Sequence, residues 1–324
     1  MEINKRQIAP NVLRNFAQLL GTELKDRRLE IPEKFGKGYC AGYVFNEQIR
    51  MLVLNYKLNK DFIVENPDIH SSGRMILFKF QNIFPKTETE STGKQIKAMP
   101  SVLIATSTMN TEVIIPIDTT TASINIEVDA NYLNGLVDLS GKSPVLQGIL
   151  QNTQPLLFEQ MMYPSLQKIV DEIVHEAVDE TFELFFLRVK AEELVCRLLM
   201  ELEKRDEKQL YPLNTRDIQT LYKVRLQMLA HPETPPVIHE LADCTNMSTS
   251  KLKRLFKQIF GNSIFSYYQE FRMKEAARLL TEEKLSVSEV GYQLGFTNLS
   301  HFTRVFKDHT GLNPKQYSRT VIKE

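Results

Sequence analysis

The sequence predicts an α+β protein. A strand-rich, barrel-like N-terminal domain with packed helices precedes an all-α domain of two helix-turn-helix units joined by a long helix. Three observations carry this. Between residues 36 and 128, short β-branched and aromatic runs alternate with Gly, Pro, Asn and Thr clusters, the signature of short strands. After Ala130 the apolar residues recur at helical spacing. Near the C-terminus, Leu252-Lys253-Arg254-Leu255-Phe256-Lys257, closed by Gly261, returns 50 residues later as Phe302-Thr303-Arg304-Val305-Phe306-Lys307, closed by Gly311. An imperfect repeat of this kind marks a duplicated structural unit.

Bulk properties set the frame. A chain of 324 residues holds two or three domains and buries a sizeable core. Its net charge is formally zero, with 40 basic and 40 acidic residues, yet the charge is unevenly spread. Residues 215–324 carry 16 Lys/Arg against 11 Asp/Glu, which leaves 24 against 29 in residues 1–214. A basic C-terminal third on an acidic body fits binding of a polyanion by one end. Cys40, Cys196 and Cys244 are odd in number and far apart, with no metal-ligand spacing. They are expected to be buried thiols in a reducing compartment. No signal-peptide pattern and no apolar run long enough to span a bilayer occurs, so a cytoplasmic protein without a membrane partner is expected.

Taken in order, residues 1–35 are expected to be helical, with Val12, Leu13, Phe16, Leu19 and Leu20 on one stripe. The strand-like runs that follow are 43–45, 49–56, 74–83, 101–107, 113–117 and 124–128. Strands so spaced suggest a sandwich or small barrel, and a small barrel either encloses one ligand or fills itself with side chains. Beyond Ala130 three helices are expected. The first is 144–151. The second is capped by Ser165 and buries Leu166, Ile169, Val170, Ile173 and Val174. The third runs from Asp179-Glu180 to about Lys204, with Phe182, Phe185, Phe186, Val189, Val195, Leu198, Leu199 and Leu202 on its stripe. These helices either cover the sheet or pair two copies of the chain. The charged stretch 203–212, ending in Pro212, reads as an inter-domain linker. The organisation is thus an N-terminal helical segment (1–35), a strand-rich effector domain (36–140), a helical covering or dimerisation segment (141–206), a linker (207–216) and a helical domain (217–324).

In the first repeated unit, Thr234 and Pro235 are read as opening a helix over 236–242. The turn is Asp243-Cys244-Thr245-Asn246, with Asn246 in the left-handed position, which Asn tolerates better than most residues. Ser248 then caps a second helix that runs to about Phe260, with Leu252, Leu255, Phe256 and Ile259 inward. In the second unit, Ser286-Val287-Ser288-Glu289 is a capping box. Gly295 fills the left-handed position, and a helix from about Asn298 to Thr310 points Phe302, Val305 and Phe306 inward. A long helix over 264–280, through Phe265, Tyr268, Phe271, Ala276, Leu279 and Leu280, would fix the distance between the units. A last short helix begins at Asn313-Pro314 and holds Tyr317.

Residues 237–319 resemble the DNA-binding domain of the AraC/XylS family of bacterial transcription regulators. The resemblance rests on Ser248, Leu252-x-Arg254-x-Phe256-Lys257 with Gly261, and Tyr268-x3-Arg272-x3-Ala276-x2-Leu279-Leu280. It continues through Gly295-Phe296, Ser300-x-Phe302-x-Arg304-x-Phe306-Lys307, Gly311, Pro314 and Tyr317. The sequence departs from the family at Asn246, where Gly is usual, and at Ser318, which separates Tyr317 from Arg319.

The resemblance implies double-stranded DNA as partner, no enzymatic activity and no cofactor. The implied DNA-contacting positions are Ser250, Lys251, Lys253, Arg254 and Lys257 in the first unit. In the second they are Leu299, Ser300, His301, Thr303, Arg304 and Lys307. Arg254 and Arg304 are read either as base readers, since Arg bonds guanine O6 and N7 together, or as solvated or ion-paired side chains. Lys251 and Lys257 are placed for phosphates, which add affinity without sequence choice. Arg272 is expected to be structural.

Residues 36–206 resemble the PchR-type regulators of this family, through Ser143-Pro144-Val145-Leu146, Pro155-Leu156-Leu157-Phe158 and the 185–202 helix with Lys190-Ala191-x-Glu193-Leu194. This implies a small-molecule effector, an iron–siderophore complex among them, that shifts the DNA-bound population. The alternative is a constitutive DNA-binding homodimer whose N-terminal domain serves oligomerisation alone. RNA polymerase is a further partner that the resemblance leaves open.

Other chemistry finds less support. Ser140-Gly141-Lys142-Ser143 lacks the earlier Gly of a phosphate-binding loop, since position 136 is Leu. Asp171, Glu172, His175 and Glu176 read as a solvated helix face rather than a metal site.

Overall fold

The computed structural model describes residues 10–59, 74–83, 99–109 and 120–320. The chain forms two compact units, Met1–Thr215 and Arg216–Glu324.

The first unit opens with α1 (Asn11–Leu20), whose 3.6-residue stripe buries Leu13, Phe16, Ala17 and Leu20. Strands β1 (Arg28–Glu30), β2 (Gly36–Val44), β3 (Ile49–Leu58), β4 (Met75–Gln81), β5 (Ser101–Ala105) and β6 (Thr120–Asp129) follow. Then come α2 (Ala130–Leu136), α3 (Pro144–Gln151), β7 (Leu157–Met161), α4 (Pro164–His175) and α5 (Glu180–Glu203). Among the described residues the sheet has seven strands in the order β1-β2-β3-β6-β4-β5-β7, and every pairing is antiparallel.

Register places one apolar row across this sheet. Phe158 pairs with Ile104, Ile104 with Phe78, Phe78 with Ile126, Ile126 with Met51, and Met51 with Tyr43. These side chains share a core with Val145, Ile149, Leu166, Ile169, Leu194 and Leu198 from the helices. Near β1 to β3, α1 packs with Leu29, Ile31, Cys40, Tyr56 and Leu58 in a second cluster.

Several expectations are corrected. Among the described residues the sheet is open, with β1 and β7 at its edges, and does not close into a barrel. Helices cover its apolar face, so that face is removed from water without the sheet closing on itself. Residues 1–35 are not one helical segment, because α1 ends at Leu20 and β1 lies within the range. The strand β7 falls in a stretch expected to be helical. Leu157 and Phe158 are fully buried there, and the run is too short to signal its period. Ser165 caps nothing: Tyr163 occupies the cap position and Pro164 starts the helix, because proline suits a first turn whose N–H is orphaned anyway. Cys40 is buried, but Cys196 and Cys244 are exposed. The expected strand 113–117 lies outside the described residues.

The α3 and α5 boundaries match their signals. Ser143 Oγ accepts from the N–H of Leu146, and Asp179 caps α5 through the N–H of Thr181. The α5 stripe is only half buried, however. Leu187, Ala191, Leu194, Val195, Leu198, Leu199 and Leu202 face the core, while Phe182, Phe185 and Val189 are 62%, 70% and 43% exposed. The segment read as a linker is partly fastened to the first unit. Leu213 is buried, its N–H donates to Pro155 O at 3.0 Å, and Leu210 packs on the core. On α4, Glu172 is taken up by Lys190 Nζ at 2.5 Å. Among the described residues no cluster of His, Cys, Asp and Glu is arranged to hold a metal ion, and no helix is long and apolar enough to cross a membrane.

The second unit is helical throughout its described residues: α6 (Thr215–Ala230), α7 (Ile238–Thr245), α8 (Thr249–Phe260), α9 (Ile264–Thr281), α10 (Val287–Gln293), α11 (Leu299–Thr310) and α12 (Pro314–Thr320). Thr234 does not cap α7. That helix starts after Val237, which makes no side-chain cap bond. On α9, Phe265 is exposed rather than packed inward.

Candidate nucleic-acid interface

Each helix-turn-helix is built by local signals. In the first, Asn246 adopts φ 53° and ψ 32°, and Ser248 Oγ accepts from the N–H of Lys251. Helix α8 then buries Leu252, Leu255, Phe256 and Ile259 and stops at Gly261. In the second, the capping box is complete. Ser286 N–H donates to Glu289 Oε2 at 2.8 Å, and Glu289 N–H donates to Ser286 Oγ at 3.3 Å. Hydrogen bonds from the Ser286 side chain and N–H hold the Glu289 carboxyl below its usual range. Asn298 Oδ1 accepts from the N–H groups of Ser300 and His301 and so caps α11. Phe302 and Phe306 are fully buried beneath it.

Helix α9 holds the two units together. The Tyr268 hydroxyl donates to Pro232 O at 2.7 Å, in the loop before the first unit. One turn on, buried Arg272 donates to Leu294 O, in the turn of the second unit. Its guanidinium lies 3.9 Å from the centre of the Phe296 ring and 5.1 Å from that of Tyr268. Burial lowers the Arg272 pKa from its ordinary value. Gly295 completes the joint at φ +76°, with the Glu233 carbonyl oxygen 2.2 Å from where a Cβ would stand. The loop before the first reader therefore abuts the turn of the second, and their spacing is built into the fold.

The residues implied by the sequence divide into three groups. Ser250, Lys253 and Arg254 on α8 are exposed, as are Ser300, His301, Arg304 and Lys307 on α11. Lys257 and Thr303 are half-buried at the edges of those helices. Lys251 and Leu299 are engaged within the domain. Lys251 Nζ pairs with Asp217 Oδ1 of α6 at 2.9 Å. The Asp217 side chain is only 12% exposed, and a carboxylate so placed holds its partner cation. Leu299 leans on α10, its Cδ2 lying 2.6 Å from where a Cβ on Gly291 would stand. Helix α6 carries the apolar series Ile218, Leu221, Val224 and Met228 at helical spacing, with Asp217 just before it. The Gly295–Glu233 contact has no sequence signal, because it joins residues 62 positions apart.

The outer faces of α8 and α11 are thus short, polar and cationic, each on the second helix of a helix-turn-helix. The helix-turn-helix domain family model matches residues 241–320, which span both units. This part of the chain is an AraC/XylS-family helix-turn-helix domain.

The same part of the chain is similar to several regulators. The HTH-type transcriptional regulator ArgR of Pseudomonas aeruginosa is 30% identical over 129 residues, 39% of this chain and 38% of its own. The arabinose operon regulatory protein of Escherichia coli is 34% identical over 80 residues, 25% of this chain and 27% of its own. A crystal structure of a Chromobacterium violaceum transcriptional regulator with an AraC-type DNA-binding domain is 28% identical. It covers 33% of this chain and 96% of that one, with a TM-score of 0.31. The chain spans about a third of the length of the curated relatives it matches first, between 29% and 38%. Each of these is named as a transcription regulator.

Proposed function

We propose that the chain is a sequence-specific DNA-binding transcriptional regulator. The observation that carries this is the pair of cationic second helices, α8 and α11, held at fixed spacing through Tyr268, Arg272 and Gly295. Two such helices enter successive major-groove segments on one face of a duplex. Arg254 and Arg304 are the base readers, with Ser250, Lys253, Ser300, His301 and Thr303 beside them. Lys257 and Lys307 hold phosphates.

The test is selection of bound sequences from random duplex DNA across a salt series. A shared bipartite motif, its halves about one helical turn apart, is the expected result. Unselective binding that vanishes with salt would remove the reading.

The first unit acts as the effector and dimerisation part of this regulator. The exposed Phe182, Phe185 and Val189 on α5 support pairing of two copies, since contiguous apolar surface marks an interaction site. A cavity in the same unit favours an effector over a unit that only dimerises. An iron–siderophore complex is the ligand class implied by the resemblance of residues 36–206, and it carries iron already enclosed by its own donors. Titration of the full chain with ferric siderophores, followed by thermal stability, tests that class. A midpoint that stays fixed excludes it.

A further inference from the structure

The first unit contains a half-open cavity of about 560 Å³ where α2, α3 and α5 meet the end of the sheet. Its volume falls within the range of about 300–1,000 Å³ typical of small-molecule sites. The walls are hydrocarbon: Leu133, Leu146, Val195 and Leu199 line it, with Leu136 and Met200 at the rim. Leu136 and Met200 are 65% and 62% exposed. An apolar hollow of this kind gains free energy when an apolar body displaces water from it.

The charged residues on its lining are not equivalent. Glu192 accepts from the Tyr132 hydroxyl at 2.9 Å and from Arg188 Nε at 3.1 Å. Glu203 accepts from the N–H of Ser143, at the start of α3. Lys204 Nζ is paired with Glu201 at 2.6 Å. Lys142 differs, because among the described residues its ammonium has no hydrogen bond or ion pair, and Glu203, the nearby carboxylate on the lining, is already held by Ser143. The cavity therefore offers a cation with no direct partner, reached only at longer range by Glu203 and Asp138, beside an apolar hollow.

We infer that this cavity binds an amphipathic small molecule with a hydrocarbon body and a single carboxylate, the body between α2 and α5 and the carboxylate on Lys142. This rests on reading the first unit as the effector part, and it puts a carboxylated amphiphile in place of the ferric siderophore as the effector. A wholly hydrocarbon ligand would leave the ammonium unused, and a polyanion would meet Glu203. The occupant touches α5, the helix whose other end carries the exposed phenylalanines, so binding has a direct route to the pairing surface.

Cys196 lines the cavity and is exposed, Cys244 is exposed in the second unit, and Cys40 is buried. Alkylation of the full chain by iodoacetamide, followed by mass spectrometry of each thiol, therefore reads occupancy with an internal control. The probes are decanoate, decanol and the ferric complex of desferrioxamine. Decanoate is expected to slow alkylation of Cys196 and leave Cys244 unchanged. Lys142→Met is expected to weaken that protection about tenfold in decanoate concentration, the scale of one charge-assisted hydrogen bond, while Lys142→Arg retains it.

Equal protection by decanol, equal slowing at Cys244, or protection by the ferric complex alone overturns the inference. So does protection of Cys196 that rises with protein concentration and ignores decanoate, which would put a second copy in the cavity. The effector reading is scored separately, by DNA occupancy with and without decanoate. Selective protection with unchanged occupancy keeps the ligand site and removes its regulatory role.

Discussion

The guanidinium of Arg272 lies 3.9 Å from the centre of the Phe296 ring, and it donates to the carbonyl of Leu294 two residues before that ring. One side chain of α9 thus fastens both the turn and the anchor of the second helix-turn-helix. Arg272→Leu keeps the bulk but removes the cation–π contact and leaves Leu294 O without this donor. The expected loss is about 2–5 kcal/mol, from about 0.5–2 for the ring contact and about 1.5–3 for a hydrogen bond to a charged group. Denaturant unfolding of the full chain measures it. A change below about 0.5 kcal/mol, typical of surface substitutions, would show that the contact is incidental.

Gly295 and Gly311 make a paired test of the joint. Both sit at positive φ, +76° and +78°, but only Gly295 has backbone where its Cβ would go, whereas nothing lies within 4 Å at Gly311. Gly311→Ala therefore pays only the left-handed conformation, about 1–2 kcal/mol. Gly295→Ala pays that and must also move the turn away from Glu233. It is expected to destabilise more than Gly311→Ala and to weaken binding to a two-part DNA site while a single half-site is less affected. Equal effects on both sites would mean that the Gly295 contact does not set the spacing of the readers.

Sequence reading reached the caps and the helical stripes of the second unit, because these are local. Asn246, Ser248, Gly261 and the Ser286–Glu289 box each act within a few residues of themselves. It missed what depends on distant partners. Lys251 looks solvated on its own helix and becomes an ion-pair partner only because α6 brings Asp217 to it. The open sheet differs from the expected barrel for the same reason. Alternation along a strand identifies a buried face but not whether a helix or another strand covers it. On α5 the stripe was legible while its burial was not, since Phe182 and Phe185 continue the period of residues that do reach the core.

That exposed stretch of α5 yields a prediction about assembly. Phe185 is 70% exposed, so Phe185→Asp removes no core contact and should change the unfolding free energy of the protomer by less than about 0.5 kcal/mol. If α5 pairs two copies, the substitution instead places a carboxylate in an apolar contact and shifts the protein toward monomer in sedimentation velocity. An unchanged sedimentation profile over a concentration series would leave the Phe182–Val189 face without a role in pairing.

The three cations Arg304, Lys307 and Lys251 should separate by mechanism when DNA affinity is measured across a salt series. Arg304 is exposed on α11, and as a base reader its loss to Ala should cost about 1–3 kcal/mol at its cognate base pair, with little effect on unrelated sequences. Lys307→Ala should weaken all sequences alike and reduce the salt slope by about 0.9, the release of one phosphate's counterion share. Lys251→Met should leave the slope unchanged, because its charge is already matched by Asp217 at 2.9 Å. Its effect should appear in unfolding instead, where it removes the cation beside a largely buried carboxylate. A drop in slope for Lys251→Met would mean that the lysine leaves Asp217 for phosphate on binding, and α6 would then belong to the DNA-reading surface.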